Sequence, residues 1–103
     1  MFPKINKILN IELYKIICEW STGEIRLIDL EQIILENKQK DLKIAYSKLY
    51  NPEIFFTLQL DKEIGTIFWP NLITMTDYDG IVKPAQFDIC PDLLYSVSSN
   101  LNK

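Results

Sequence analysis

Apolar residues repeat at every second position from Tyr14 to Trp20, and this period of two is typical of half-buried strands. Before them, Ile5 to Leu13 are rich in β-branched and apolar residues, which also favours a strand, and a partner strand is expected from Glu24 to Leu30. The connection Ser21–Gly23 ends in a glycine, which can take the positive φ that a tight hairpin connection needs. The pattern therefore predicts three strands, of which the last two form a hairpin.

Helical spacing follows this strand-rich segment. Residues 29–37 predict a short helix, because their apolar residues share one face and Asp29 can cap the first N–H groups. The apolar spacing over residues 42–49 again fits a helix. Asn51 and Pro52 then give a second start signal, because Asn is a favoured cap and Pro is favoured at the first helical position.

Strand spacing returns in the second half of the chain. Phe56 to Asp61 alternate between apolar and polar residues, and Gly65 allows the chain to fold back into Thr66 to Trp69. We expect that strand to end at Trp69. The reason is Pro70, which has no N–H for a ladder and restricts the residue before it to extended conformations.

The last part of the chain predicts one more hairpin and one more helix. The hairpin joins Leu72–Thr76 to Ile81–Ile89 through the Asp-Tyr-Asp-Gly sequence at 77–80, and the helix begins with Pro91. A polar tail after that helix is expected to fray. Hairpins with segregated helices indicate an α+β fold over residues 1–103, with a largely antiparallel β-sheet and two or three short helices.

Composition supports one independently folding domain. The chain has 103 residues, of which 48% are hydrophobic and 24% charged, close to the averages of globular proteins. The net charge of −3 disfavours direct binding to nucleic acid, which depends on basic residues that neutralise phosphates. Lys38, Lys40 and Lys43 cluster, but Glu36 and Asp41 interrupt them, as on an ordinary solvated helix face.

Nothing in the sequence predicts association with a membrane. The longest run without a charged residue, Ile64 to Thr76, is too short to cross a bilayer, and the N-terminus lacks a continuous apolar block and a small-residue cleavage site. The two cysteines, Cys18 and Cys90, are far apart in sequence and have no neighbouring Cys or His to share a metal. We expect a protein of the reducing cytoplasm.

The residue types argue against most catalytic and cofactor sites. The chain has no histidine, which excludes Ser-His-Asp, Cys-His and zinc-His sites, and its three glycines form no phosphate-binding loop. Asp77 and Asp79 are spaced like alternate calcium ligands, but the later oxygen donors and the distal Glu are missing. A hairpin turn explains these residues better, so we predict no catalytic, cofactor-binding or metal-binding residue.

Two features near the predicted C-terminal helix have a chemical interpretation beside a structural one. Cys90 stands at a helix start, where the dipole can stabilise a thiolate, although a buried small apolar side chain is the favoured interpretation. Asp88 and Asp92 are an alternative pair of carboxylates for acid–base work on a small molecule. Capping by Asp88 and a favourable first-turn charge at Asp92 are the favoured interpretation.

Five segments in this order resemble a family known as the domain of unknown function number 2442. They are Trp20 to Glu24, Ile28 to Leu30, Leu49 to Phe55, Gly65 to Asn71, and Asp88 to Tyr95. The resemblance covers most of the chain. The chain departs from the family pattern after Asn71. In the family this position leads almost directly into the segment that corresponds to Asp88 to Tyr95, whereas here a hairpin lies between them.

The resemblance implies a small bacterial α+β domain without established catalytic residues. Genes of the family often neighbour another small family, in pairs interpreted as toxin–antitoxin modules. Some members carry an added DNA-binding domain, which we do not expect in this chain. A nucleic-acid-associated regulator therefore remains an alternative function.

The sequence hypothesis for function is a non-enzymatic protein-interaction domain. We predict contact with a protein partner through Trp69, Asn71, Tyr78 and Asp79, because the end of a loop and the tip of a hairpin expose side chains and backbone groups. The structural alternative for Trp69 is burial in the core. Exposed strand edges further predict self-association into a homodimer.

Overall fold

The computed structural model describes residues 2–37, 45–76 and 78–101, and these form seven strands and four short helices. In chain order the elements are β1 (Ile5–Glu12), β2 (Lys15–Trp20), β3 (Ile25–Asp29), α1 (Glu31–Asn37), α2 (Ala45–Lys48), α3 (Pro52–Phe55), β4 (Gln59–Asp61), β5 (Thr66–Thr76), β6 (Val82–Asp88), α4 (Pro91–Ser96) and β7 (Ser98–Asn100). The predicted α+β class with antiparallel pairing is confirmed. The lysine cluster at 38–43 lies outside the described residues.

The strands divide between two antiparallel sheets. One sheet has the order β1-β2-β3-β7 and the other has the order β4-β5-β6. A backbone hydrogen bond joins them, because the Ile5 N–H donates to the carbonyl oxygen of Gly65 at 2.8 Å. Gly65 has φ of 77° and lies in the turn between β4 and β5, so a left-handed turn residue touches the first strand of the other sheet.

One hydrophobic core is shared by both sheets and the helices. Trp20 from β2 and Trp69 from β5 are both fully buried in it, as is Phe55 from α3. The other buried apolar residues are Ile5, Tyr14, Ile16, Cys18, Ile28, Leu30, Ile34, Leu49, Leu58, Ile67, Leu72, Ile89 and Leu94. Alternate residues of β2 point into this core, as the period of two predicts.

Two predicted helix caps are confirmed and one is wrong. An Asp29 carboxylate oxygen accepts from the Glu31 N–H at 3.0 Å, and the Asn51 amide oxygen accepts from the Glu53 N–H at 3.0 Å. Asp88 does not cap α4, because β6 remains paired as far as this residue, opposite Phe68. Cys90 occupies the cap position instead.

Ser98–Asn100 form a strand after α4, so the prediction of a fraying polar tail is wrong for these residues, whereas residues 102–103 lie outside the described part of the chain. Ser98 lies opposite Ile28 and Ser99 lies opposite Leu27, which makes β7 an edge strand of the four-stranded sheet. The ladder depends on backbone groups, and an edge strand exposed on one side tolerates polar side chains. Arg26 adds a side-chain anchor by donating to both the hydroxyl and the carbonyl oxygen of Ser98.

The strand that contains Trp69 does not end there, contrary to the prediction. β5 continues through Pro70 to Thr76. Between the Trp69–Phe87 and Ile73–Ala85 pairs, β5 contains three residues where β6 contains one. Such a bulge interrupts the ladder locally, so that a proline without an N–H can be accommodated inside a strand.

Candidate functional site

The β5–β6 hairpin extends beyond the core, and its outer part is called here the distal ribbon (residues 72–76 and 82–85, with its tip at 78–81). In the described chain this ribbon has only two strands, because β4 pairs with β5 no further than Phe68. Its exposed side chains are those of Thr74, Thr76, Tyr78, Asp79, Ile81, Val82, Lys83 and Pro84. Two-stranded ribbons are at best marginally stable alone in water, so contact with a partner would stabilise this one.

The bulge at the base of the ribbon fixes an unusual backbone conformation. Asn71 has φ of 59°, in the left-handed region that asparagine tolerates better than most residues. Its side chain is exposed, whereas the next residue, Leu72, is buried. The bulge therefore presents the Asn71 amide to solvent while it anchors the ribbon to the core.

A cleft of about 400 Å³ opens beside this bulge. It is lined by Lys48, Glu53, Ile54, Thr57, Pro70, Asn71 and Leu72. The Lys48 ammonium donates to the carbonyl oxygen of Leu72 at 2.9 Å, which connects α2 to the start of the ribbon. The cleft thus has an apolar floor with one positive and one negative side chain beside it.

The tip of the ribbon carries the most exposed aromatic side chain of the described residues. Tyr78 has a relative exposure of 109%, and Ile81 and Val82 beside it are 52% and 62% exposed. Gly80, with φ of 76°, provides the left-handed turn residue expected there. Clustered exposed apolar side chains on one hairpin are a feature of interaction surfaces.

The predicted contact residues fall into two environments. Trp69 is fully buried, and its indole Nε1 donates to the carbonyl oxygen of Phe55 at 2.9 Å. Its side chain therefore has no surface to offer a partner, and the structural alternative for this residue is correct. Asn71, Tyr78 and Asp79 are exposed, the first beside the cleft and the other two at the tip of the ribbon.

The two thiols lie in different environments. Cys90 is exposed, so its interpretation as a buried small side chain is wrong, and its neighbour Ile89 takes the buried position between β6 and α4 instead. Cys18 is buried, and burial raises the pKa of its thiol to about 12. A thiol with that pKa is protonated at neutral pH and is a poor nucleophile.

The carboxylates of the alternative enzymatic hypothesis do not meet in a cavity. Asp88 and Asp92 are both exposed, and neither lines the cleft beside the bulge. Another concave surface, of about 450 Å³, lies along α1 and is lined by Asp29, Glu31, Gln32, Leu35 and Glu36. Within the described residues, no group of three or more His, Cys, Asp and Glu is placed to hold a metal ion. Asp77 lies outside them, so the calcium-like spacing is not tested.

Sequence reasoning missed a charged network that ties α4 to the four-stranded sheet. Glu24 accepts from the Tyr95 hydroxyl at 2.6 Å and from Arg26 at 2.7 Å, and the Arg26 guanidinium lies 4.0 Å from the centre of the Tyr95 ring. The Tyr95 hydrogen bond is the main reason why the pKa of Glu24 is lowered, and the same bond raises the pKa of Tyr95. The signal was the spacing of Glu24 and Arg26 at the start of β3, but Tyr95 is 71 residues from Glu24 in sequence. Because its members satisfy one another's hydrogen-bonding groups, we interpret this network as structural.

None of the helices described is long and apolar enough to span a membrane. Comparison of the chain with protein-family models, with curated proteins and with solved structures gives no match.

Proposed function

We propose that this chain is a non-enzymatic interaction domain that binds a protein partner through the distal ribbon and the cleft at its base. The observation that carries the proposal is the exposure of Tyr78, Ile81 and Val82 at the end of a two-stranded ribbon that leaves the core. A partner that covers large apolar side chains on a protruding hairpin removes them from water, and this burial lowers the free energy of the complex.

The resemblance to the domain of unknown function number 2442 supplies a candidate for the partner. If the chain belongs to that family, the product of a neighbouring gene in a toxin–antitoxin-like pair is the first protein to test. The ribbon is also the segment that departs from the family pattern. We therefore propose that it sets the specificity of this chain for its partner.

The proposed location is the cytoplasm. Both cysteines are free thiols in the structure, which fits a reducing compartment. The enzymatic alternative has no comparable support, because Asp88 and Asp92 are exposed and do not line the cleft. Direct binding to nucleic acid is disfavoured by the net charge of −3.

Affinity purification from the native host tests the proposal. The tagged wild-type chain is compared with a Tyr78→Ser, Ile81→Ser double variant, and bound proteins are identified and quantified by mass spectrometry. We expect the wild type to retain a stoichiometric protein that the double variant loses. The matched control is Phe2→Ser, because Phe2 is 75% exposed but lies outside the ribbon. Equal retention by all three chains would contradict a role for the ribbon.

A further inference from the structure

We propose that the free edge of β5 pairs antiparallel with the same edge of a second copy of this chain, around a two-fold axis at Thr74. This inference rests on the proposed function, since it assigns the distal ribbon to one particular partner. The segment concerned is Leu72–Thr76, and the pairing would join two ribbons into one four-stranded ribbon.

The register of the hairpin shows which backbone groups face outward. The Ile89 N–H donates to the carbonyl oxygen of Ile67, so Ile89 faces β5. Backbone direction alternates along a strand, so Ala85 in β6 faces β5 as well, and its partner Ile73 faces β6 in return. Thr74 and Thr76 therefore direct their N–H and C=O groups away from β6, towards the side that β4 no longer covers.

The two edges of the ribbon differ in a way that favours pairing at β5. By the same alternation, Pro84 in β6 faces outward, where it has no N–H to donate. A proline there, next to the charged Lys83, is a common means of protecting an edge strand. The opposite edge, residues 72–76, has no charged residue, proline or glycine, and Ile73, Thr74 and Thr76 are of types that favour strands.

A second copy fits this edge because each chain carries both the ribbon tip and the cleft that the tip would contact, one on either side of Thr74. With Thr74 opposite Thr74, Leu72 of each copy lies opposite Thr76 of the other. The Leu72 carbonyl oxygen already accepts from the Lys48 ammonium, so it would use its second lone pair for the Thr76 N–H. Tyr78 is as many residues beyond Thr74 as Pro70 is before it. Antiparallel pairing brings the tip of one ribbon beside the base of the other, so the second copy's Tyr78 comes near the cleft of about 400 Å³.

The chemistry of the cleft suits this occupant. Ile54 and Pro70 offer apolar surface to a tyrosine ring. Lys48 and Glu53 both line the cleft, so their opposite charges offset each other for the second copy's Asp79, and the aromatic contact carries the fit. Two-fold symmetry repeats this contact, so the tip of each copy lies at the cleft of the other.

Sedimentation of the full chain over a wide concentration range tests the pairing. We expect a reversible dimer for the wild type, and for Thr74→Pro a dimer Kd raised about tenfold or more. This variant removes one outward N–H per copy and leaves the ladder to β6 intact, as Pro84 does on the other edge. Thr74→Val keeps the N–H and should dimerise like the wild type, and circular dichroism checks that both variants fold.

Cysteine cross-linking tests the register in a Cys90→Ser background, which removes the exposed native thiol. Thr74→Cys places two thiols opposite each other, with Cα atoms about 5.5 Å apart, which a disulfide can bridge. Thr76→Cys is the control, because residue 76 of one copy lies four residues along the paired strands from residue 76 of the other, which separates their Cα atoms by roughly 13 Å. We expect oxidation to give covalent dimer from Thr74→Cys at several times the yield from Thr76→Cys.

Each outcome decides the inference. A wild type that stays monomeric at all concentrations, or equal cross-linking of the two cysteine variants, overturns it. If a monomeric wild type still retains a different protein that the Tyr78→Ser, Ile81→Ser variant loses, the dimer is wrong while the proposed function stands. If the wild type dimerises and the Tyr78→Ser, Ile81→Ser variant dimerises equally well, the ribbon is not the interface.

Discussion

Trp69 illustrates how one residue can look like a contact in the sequence and be structural in the protein. Its position beside Pro70 and Asn71 suggested a rigid exposed platform, yet its ring lies fully inside the core, and its Nε1 satisfies the carbonyl oxygen of Phe55. The sequence could not decide between these alternatives, because β5 turns Trp69 inward and Asn71 outward only through the bulge that separates them. Burial here follows from strand register, which the residue types alone do not reveal.

Glu24 provides a prediction at the same scale. Its pKa is lowered in the folded chain, so its interactions stabilise the protein above the ordinary pKa of Glu, and this stability is lost as the pH falls through the lowered folded pKa. Glu24→Gln removes this contribution. We expect the urea midpoint of the wild type to fall more steeply than that of the variant between pH 7 and roughly pH 3.

The matched control for Glu24 is Glu12→Gln, since Glu12 is an exposed carboxylate at the end of β1. Its midpoint should depend on pH much as in the wild type. Identical acid sensitivity of wild type and Glu24→Gln would show that the network with Tyr95 and Arg26 carries no pH-linked stability.

At the scale of elements, the sequence predicts hairpins well and edges poorly. β2, β3 and β6 follow from alternation and from glycines such as Gly23, because a half-buried strand must alternate. β7 was missed, since Ser98–Asn100 are polar and belong to a strand only through backbone pairing with β3. The continuity of β5 was missed because the rule that proline ends a strand does not hold at a bulge.

The candidate site was predicted in part for the same reason. Tyr78 and Asp79 lie on the surface because turns expose their residues, and turn chemistry is visible in sequence. Asn71 is exposed by the bulge of β5 instead. The cleft was not predictable, because Lys48 and Glu53 reach it from helices that are distant from Asn71 in sequence. Sequence spacing does not determine how α2 and α3 pack against β5.

The bulge of β5 gives a prediction about backbone strain. Asn71→Ala should destabilise the chain by about 1 kcal/mol, because alanine disfavours the positive φ of 59° more than asparagine does. Asn71→Gly should be within about 0.5 kcal/mol of the wild type, because glycine accepts this conformation without a steric penalty. Urea unfolding of the three chains measures both values, and an alanine variant as stable as the glycine variant would contradict the left-handed assignment.

At the scale of the whole molecule, the junction between the two sheets makes Gly65 a sensitive position. A Cβ there would lie 2.5 Å from Lys4 Cβ and 3.2 Å from the Ile5 nitrogen, whereas a Cβ at Gly80 would meet nothing within 4 Å. The φ angles are nearly equal, 77° and 76°. Gly80→Ala therefore measures the backbone penalty alone, and Gly65→Ala measures that penalty with crowding added.

We expect Gly80→Ala to destabilise the protein by about 1 kcal/mol and Gly65→Ala by roughly 2 kcal/mol more. The measurement is again the free energy of unfolding in urea. Equal losses would mean that the first strand moves away from Gly65 without penalty, and that the hydrogen bond from Ile5 does little to hold the sheets together.

The placement of the two tryptophans has a practical consequence. Trp20 is in β2 and Trp69 is in β5, so each sheet contains one tryptophan, and the chain has no third. Emission from a Trp69→Phe chain reports on the four-stranded sheet, and emission from a Trp20→Phe chain reports on the three-stranded sheet. Melting curves of the two single-tryptophan chains can therefore reveal whether the halves of the molecule unfold together or one after the other.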